Sequence, residues 1–149
     1  MGLVLSDVGA VEMLEAMLND AWPAGGKDLT LKLFVNDIVP SDTHTSADFT
    51  EAAGGGYGPK TLAAGSWTVA VVGGIAKAVF AEQVFTFTGE LTTNPTAYGY
   101  YIEDGDGILR WAEKRYLADG VTAAPFTPAN NGDHLDVTPT FQLSKGTPA

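Results

Sequence analysis

Hydrophobic and polar positions change period several times along the chain. Val8, Val11, Leu14, Met17 and Leu18 fall three and four residues apart, the spacing of one face of a helix. Ser6 or Asp7 stands where a helix cap belongs, and Glu12 and Glu15 lie off the apolar stripe. The helix is predicted to stop near Asn19, ahead of Pro23 and Gly25-Gly26. Past residue 28 the period drops to two. Leu29, Leu31, Leu33 and Val35 alternate with Thr30, Lys32 and Phe34, which predicts a half-buried strand within 28–39, ended by Pro40.

Residues 41–58 are polar and rich in turn formers, and read as a long surface loop with a short extended piece around Phe49. Strand composition returns over 60–72, with Trp67, Val69 and Val71 on one face, and Gly73-Gly74 makes a turn. Residues 75–80 suit either a helical turn or a strand. Over 83–91, Phe85 and Phe87 share a face opposite Val84, Thr86 and Thr88. The strongest local signal is Asp104-Gly105-Asp106-Gly107 between two aromatic and branched runs, which predicts an antiparallel hairpin of 98–103 with 108–116 and a positive φ at Gly105. Residues 119–133 are loop. Leu135, Val137, Phe141 and Leu143 face one way in a last strand, whose Pro139 marks an edge or a bulge. The tail 145–149 is predicted to be loose. Many short strands and one helix imply a mainly β fold: an antiparallel β-sandwich or jelly roll with one short N-terminal helix. It is read as a single domain over 1–149, with an arm and helix in 1–20 and the sandwich in 28–144.

Composition narrows the partners. The 149 residues carry a formal charge of -10, so a nucleic-acid backbone would be repelled and is not an expected partner. Cysteine is absent, which removes disulfides, thiolate metal ligands and a cysteine nucleophile. No apolar run reaches the ~20 residues that span a bilayer, and the first residues lack a basic secretory n-region, so no membrane partner and no leader are expected.

Candidate chemistry is thin. Asp104 and Asp106 resemble the start of a calcium loop, but Ile108 occupies the third ligand position, so a hairpin turn is the reading and no metal is expected. His44 and His134 are the two histidines; Ser66, His134 and Asp136 make a triad on paper only, with no nucleophile elbow. Glu103 and Glu113 read as cross-strand residues rather than as a glycosidase pair. Tyr98, Tyr100, Tyr101, Trp111 and Tyr116 could form a sugar-stacking platform, but strand aromatics ordinarily pack. Tyr100 and Tyr101 are adjacent, so they point to opposite faces. Neither catalysis nor a cofactor is expected.

Taken in order, several segments carry a resemblance: Val8-Gly9-Ala10-Val11-Glu12, Leu29-Thr30-Leu31-Lys32-Leu33-Phe34, Ala47-Asp48-Phe49-Thr50-Glu51-Ala52, Ser66-Trp67-Thr68-Val69, Phe85-Thr86-Phe87-Thr88-Gly89, Tyr98-Gly99-Tyr100-Tyr101 and Leu109-Arg110-Trp111-Ala112-Glu113. Their order and spacing, over nearly the whole chain, resemble a family of small virion proteins of tailed bacteriophages. The resemblance implies a structural role without catalytic residues: a capsid decoration, or cement, protein made in the bacterial cytoplasm and carried on the capsid surface. The major capsid protein would be its partner, and a homotrimer at the threefold joints its form. The expected contact residues are Val8, Val11, Leu14 and Leu18 on the helix, Phe49 and Tyr57 in the long loop, and Tyr100 and Tyr101 on the hairpin. A tail or fibre component, or a carbohydrate-binding module using the hairpin tyrosines, are the alternatives.

Overall fold

The computed structural model of the chain describes residues 5–19 and 28–143. The arm ahead of Leu5, the stop signals at Pro23 and Gly25-Gly26, and the tail from Ser144 lie outside the described residues. Among the described residues one α-helix, α1 (Asp7–Leu18), precedes nine strands: β1 (Leu29–Phe34), β2 (Lys60–Leu62), β3 (Thr68–Val72), β4 (Ile75–Val79), β5 (Gln83–Thr86), β6 (Gly99–Glu103), β7 (Leu109–Lys114), β8 (His134–Val137) and β9 (Thr140–Leu143), with a single 3-10 turn at Ser46–Asp48. They form sheets in the orders β2-β1-β6-β7, β3-β4-β9 and β5-β8. The fold is mainly β and antiparallel with one N-terminal helix, the class that the alternation predicts. Two compact units interleave along the chain. A helical unit draws on Met1–Asp28, Leu62–Gln83 and Val137–Ala149, and a hairpin unit on Leu29–Thr61 and Val84–Asp136.

In the helical unit, Ser6 caps α1 by accepting a hydrogen bond from the Gly9 N–H at 3.1 Å. The helix closes at Asn19, whose N–H reaches the Glu15 carbonyl. Its buried line is Ala10, Leu14 and Leu18, each four residues on from the last, and it packs over β3 and β4. The predicted stripe through Val8 and Val11 is therefore rotated: Val8 is 68% exposed and Val11 half-buried. Ala10 on the helix and Ala76 and Ala78 on β4 are all fully buried, and such small side chains let helix and sheet approach closely, which turns Ala10 inward. Beside the helix, Trp67 stacks on Phe141 with centroids 5.0 Å apart and meets Phe80 edge-on at 5.1 Å.

Two predicted strands are each split in the structure. Residues 60–72 supply β2 and β3 to different sheets, because Gly65 turns the chain between them with φ at 83°. Residues 135–143 supply β8, which pairs with β5, and β9, which pairs with β4. Pro139 sits in the break and β9 is an edge, as proline requires. The ambiguous stretch 75–80 is strand β4, joined to β3 by the two-residue turn Gly73-Gly74 at φ 59° and 76°.

In the hairpin unit, β1 pairs with β6 and β6 with β7, in a register that sets Leu33 opposite Tyr100 and Tyr100 opposite Glu113. β1 stops at Phe34, short of the predicted 39. The Asn36 side chain explains the stop: it donates to the Asp48 carbonyl and accepts from the Thr50 N–H, each at 2.8 Å, drawing residues 49–52 against the strand end. The extended piece expected around Phe49 is there, with Glu51 bridged to Phe34. Phe34, Phe49 and Tyr101 then form an aromatic core, with centroids 5.0 and 5.2 Å apart along the series.

Candidate functional site

The hairpin turn is built on Asp104. Its Oδ1 accepts from the N–H groups of Asp106 and Ile108 at 2.9 and 3.0 Å, and its Oδ2 accepts from Arg110. Burial opposes the charged carboxylate, but the hydrogen bonds from Ile108, Arg110 and Asp106 outweigh it and hold the pKa below the usual range. An oxygen pair engaged in this way serves the turn. The left-handed glycine is Gly107, at φ 77°, two residues beyond the predicted Gly105. The side chain of Asp104, rather than a two-residue Asp-Gly turn, sets the loop.

Next to the turn, the aromatic and acidic residues are tied to one another. Tyr101 points inward and is 2% exposed, while its neighbour Tyr100 points the other way, as strand geometry requires, and donates its hydroxyl to Glu113. Lys32 bridges Glu103 at 2.9 Å and Glu51 at 3.2 Å. Tyr57 donates to Glu51, accepts from the Leu33 N–H at 3.2 Å, and stacks on Phe85. Burial pushes the phenols of Tyr57 and Tyr100 far above their ordinary value and that of Tyr101 up to about 12. Of the expected contact residues in this unit, Phe49 and Tyr101 are thus core, and Tyr57 and Tyr100 are half-buried and hydrogen-bonded within the chain. Glu103 and Glu113 are engaged by different partners, Lys32 and Tyr100.

The loop after β1 leaves a groove against β7. Ser46 fastens it by donating to the Gly107 carbonyl at 3.0 Å. The groove measures about 490 Å³ and is lined by His44, Ser46, Ile108 and Leu109; a recess of about 350 Å³ beside it reaches Asp42, Arg110 and Trp111. His44 takes the Ser41 N–H on Nδ1 at 3.1 Å, so its neutral ring carries the proton on Nε2. His134 and Asp136 are 3.9 Å apart on β8, and Ser66 belongs to the other unit. Among the described residues no group of three or more His, Asp or Glu is placed to hold a metal.

An apolar concavity lies along α1. It measures about 650 Å³ and is lined by Leu5, Gly9, Glu12, Met13, Leu14, Ala16, Met17 and Leu143. Val8 and Met13 are exposed on the same helix, whereas Leu14 and Leu18 are each 3% exposed and belong to the chain's own core. The helix stripe read from the sequence is therefore divided between interior and surface. Met13 was missed as a surface residue. The signal was the i, i+4 pair Met13 and Met17, whose flexible side chains suit contact surfaces.

No protein-family model, no curated protein and no solved structure matches the chain.

Proposed function

We propose that the protein is a structural component of a tailed-phage virion, a decoration protein that binds the major capsid protein on the outer face of the shell. The apolar groove along α1, with Val8 and Met13 exposed on the same helix, carries this reading. A helix face of this kind can add buried area at each joint between capsomers, and many equivalent copies multiply a modest contact into a stabilised shell. The tyrosines and carboxylates of the hairpin unit support the same reading, since their hydrogen bonds run within the chain. The resemblance to small virion proteins supplies the identity of the partner.

The test is decoration of capsids that lack the protein. Purified protein is expected to bind them in numbers that scale with capsomer joints and to raise their resistance to heat. Val8→Asp with Met13→Asp is expected to abolish binding while leaving the melting temperature nearly unchanged, because both side chains are exposed. Association with isolated tails, or undiminished capsid binding by the double variant, would overturn the reading.

A further inference from the structure

The outer edge of β3 is a row of backbone groups prepared for another strand. β3 ends its sheet, and its register with β4 sets Val72 opposite Ile75 across the Gly73-Gly74 turn. In a two-residue hairpin the closing pair is hydrogen-bonded, and hydrogen-bonded and non-bonded pairs alternate from there. Thr68, Ala70 and Val72 therefore bond inward to β4, while Val69 and Val71 turn their N–H and C=O outward. Trp67 precedes them in the same phase, and the structure shows what its outward groups require. The Asn19 side chain donates to the Trp67 carbonyl and accepts from the Trp67 N–H, both at 3.0 Å. Asn19 does for Trp67 what a neighbouring strand would do. Among the described residues no partner continues that row at Val69 and Val71.

This edge also lacks the usual protection. Edge strands are ordinarily blunted by charge, proline or a bulge. β7 carries Arg110, Glu113 and Lys114, and β9 follows Pro139. β3 has none of these, its register with β4 runs without a shift, and residues 61–76 contain no charged side chain. Two copies that each carry -10 repel at most approaches, so a neutral edge is where they can meet.

We propose that β3 pairs antiparallel with β3 of a second copy about a two-fold axis at Ala70, joining two three-stranded sheets into one of six strands. This register sets Val69 of each copy opposite Val71 of the other, so all four outward-facing residues exchange hydrogen bonds. Val71, now 40% exposed, gains a branched cross-strand neighbour on the face that α1 covers. The contact is independent of the capsid reading, and its two-fold symmetry stands in place of the threefold that the resemblance implies.

Hydrogen exchange on the unmodified protein tests it directly. The Val69 and Val71 amides are expected to be protected at high protein concentration and to lose protection on dilution, in step with a dimer-to-monomer change seen by sedimentation. Two variants separate contact from folding. Val69→Lys with Val71→Lys places like charges opposite one another and should give a monomer. Val69→Lys with Val71→Glu places opposite charges there and should restore the dimer. A wild type that is monomeric or trimeric at high concentration overturns the proposal. So does a folded Lys/Glu variant no more dimeric than the Lys/Lys one, or exchange at the two amides that ignores concentration.

Discussion

Asp104 and Arg110 meet across the β6–β7 turn, with Oδ2 of the carboxylate accepting from both Nε and Nη2 of the guanidinium, at 2.9 and 2.6 Å. The carboxylate is buried while the guanidinium is about a third exposed. Asp104→Ala is expected to destabilise the hairpin unit by roughly 2–4 kcal/mol, since it strands buried donors. The lowered pKa fixes the sign of the acid limb. The folded carboxylate holds its proton less tightly than the unfolded one, so its contribution is complete above the unfolded pKa of about 4 and is lost as pH falls through the folded value. Denaturant melts between neutral pH and about pH 3 should show a shallower acid decline in Asp104→Asn than in wild type.

Two glycines of the hairpin should respond to alanine in different ways. At Gly107 a Cβ would meet nothing within 4 Å, so only the positive φ resists, at roughly 1–2 kcal/mol. At Gly99 a Cβ would lie 2.1 Å from the Glu113 carbonyl oxygen and 2.6 Å from the Phe34 ring. Strand pairing and the aromatic core would both have to shift, and Gly99→Ala should cost roughly 3 kcal/mol or more. Paired thermal melts of the two variants check the ranking.

On α1, stability and surface should separate cleanly. Leu14→Ala is expected to cost roughly 2–5 kcal/mol, as for other buried leucines, whereas Val8→Ala should stay within about 0.5 kcal/mol of wild type. Equal effects at the two positions would place the buried face of the helix elsewhere.

Alkaline titration should find the phenols of Tyr57, Tyr100 and Tyr101 late to ionise. Burial raises each of them, so the folded state keeps the proton that the unfolded state would release near pH 10. The stability this gives is present below about pH 10 and declines as pH rises through the folded values. Phenolate absorbance should therefore lag that of the unfolded chain until unfolding begins, and Tyr100→Phe should lose part of the lag.

The helix, the β class and the central hairpin were legible because their signals are local: Ser6 before an apolar period, alternation along Leu29–Phe34, and the Asp-Gly turn. Strand ends and strand partners were not. The alternation of Leu135, Val137, Phe141 and Leu143 runs unbroken past Pro139, yet the chain changes sheet there, and β4 as the partner of β9 lies far back along the chain. Helix orientation was missed for a similar reason. Val8 is more apolar than Ala10, but the small Ala76 and Ala78 on the facing strand favour Ala10 at the contact. On α1, chemistry alone could not tell the expected contact residue Leu14, which is inside, from Met13, which was not expected and is outside.

Pro139, by handing the chain from β8 to β9, also sets a schedule for synthesis. The hairpin unit ends at Asp136, so all its residues exist before β9 has been translated. The sheet of the helical unit must wait, because β4 receives its second neighbour only when Thr140–Leu143 leaves the ribosome. Until then the β3–β4 ribbon, with Lys77 on β4 and no charge on β3, is open along both sides, one of them the edge with no gatekeeping charge. Nascent chains are thus most prone to cross-pairing in the interval between making β4 and making β9, and slower elongation past Asp136 lengthens that exposure.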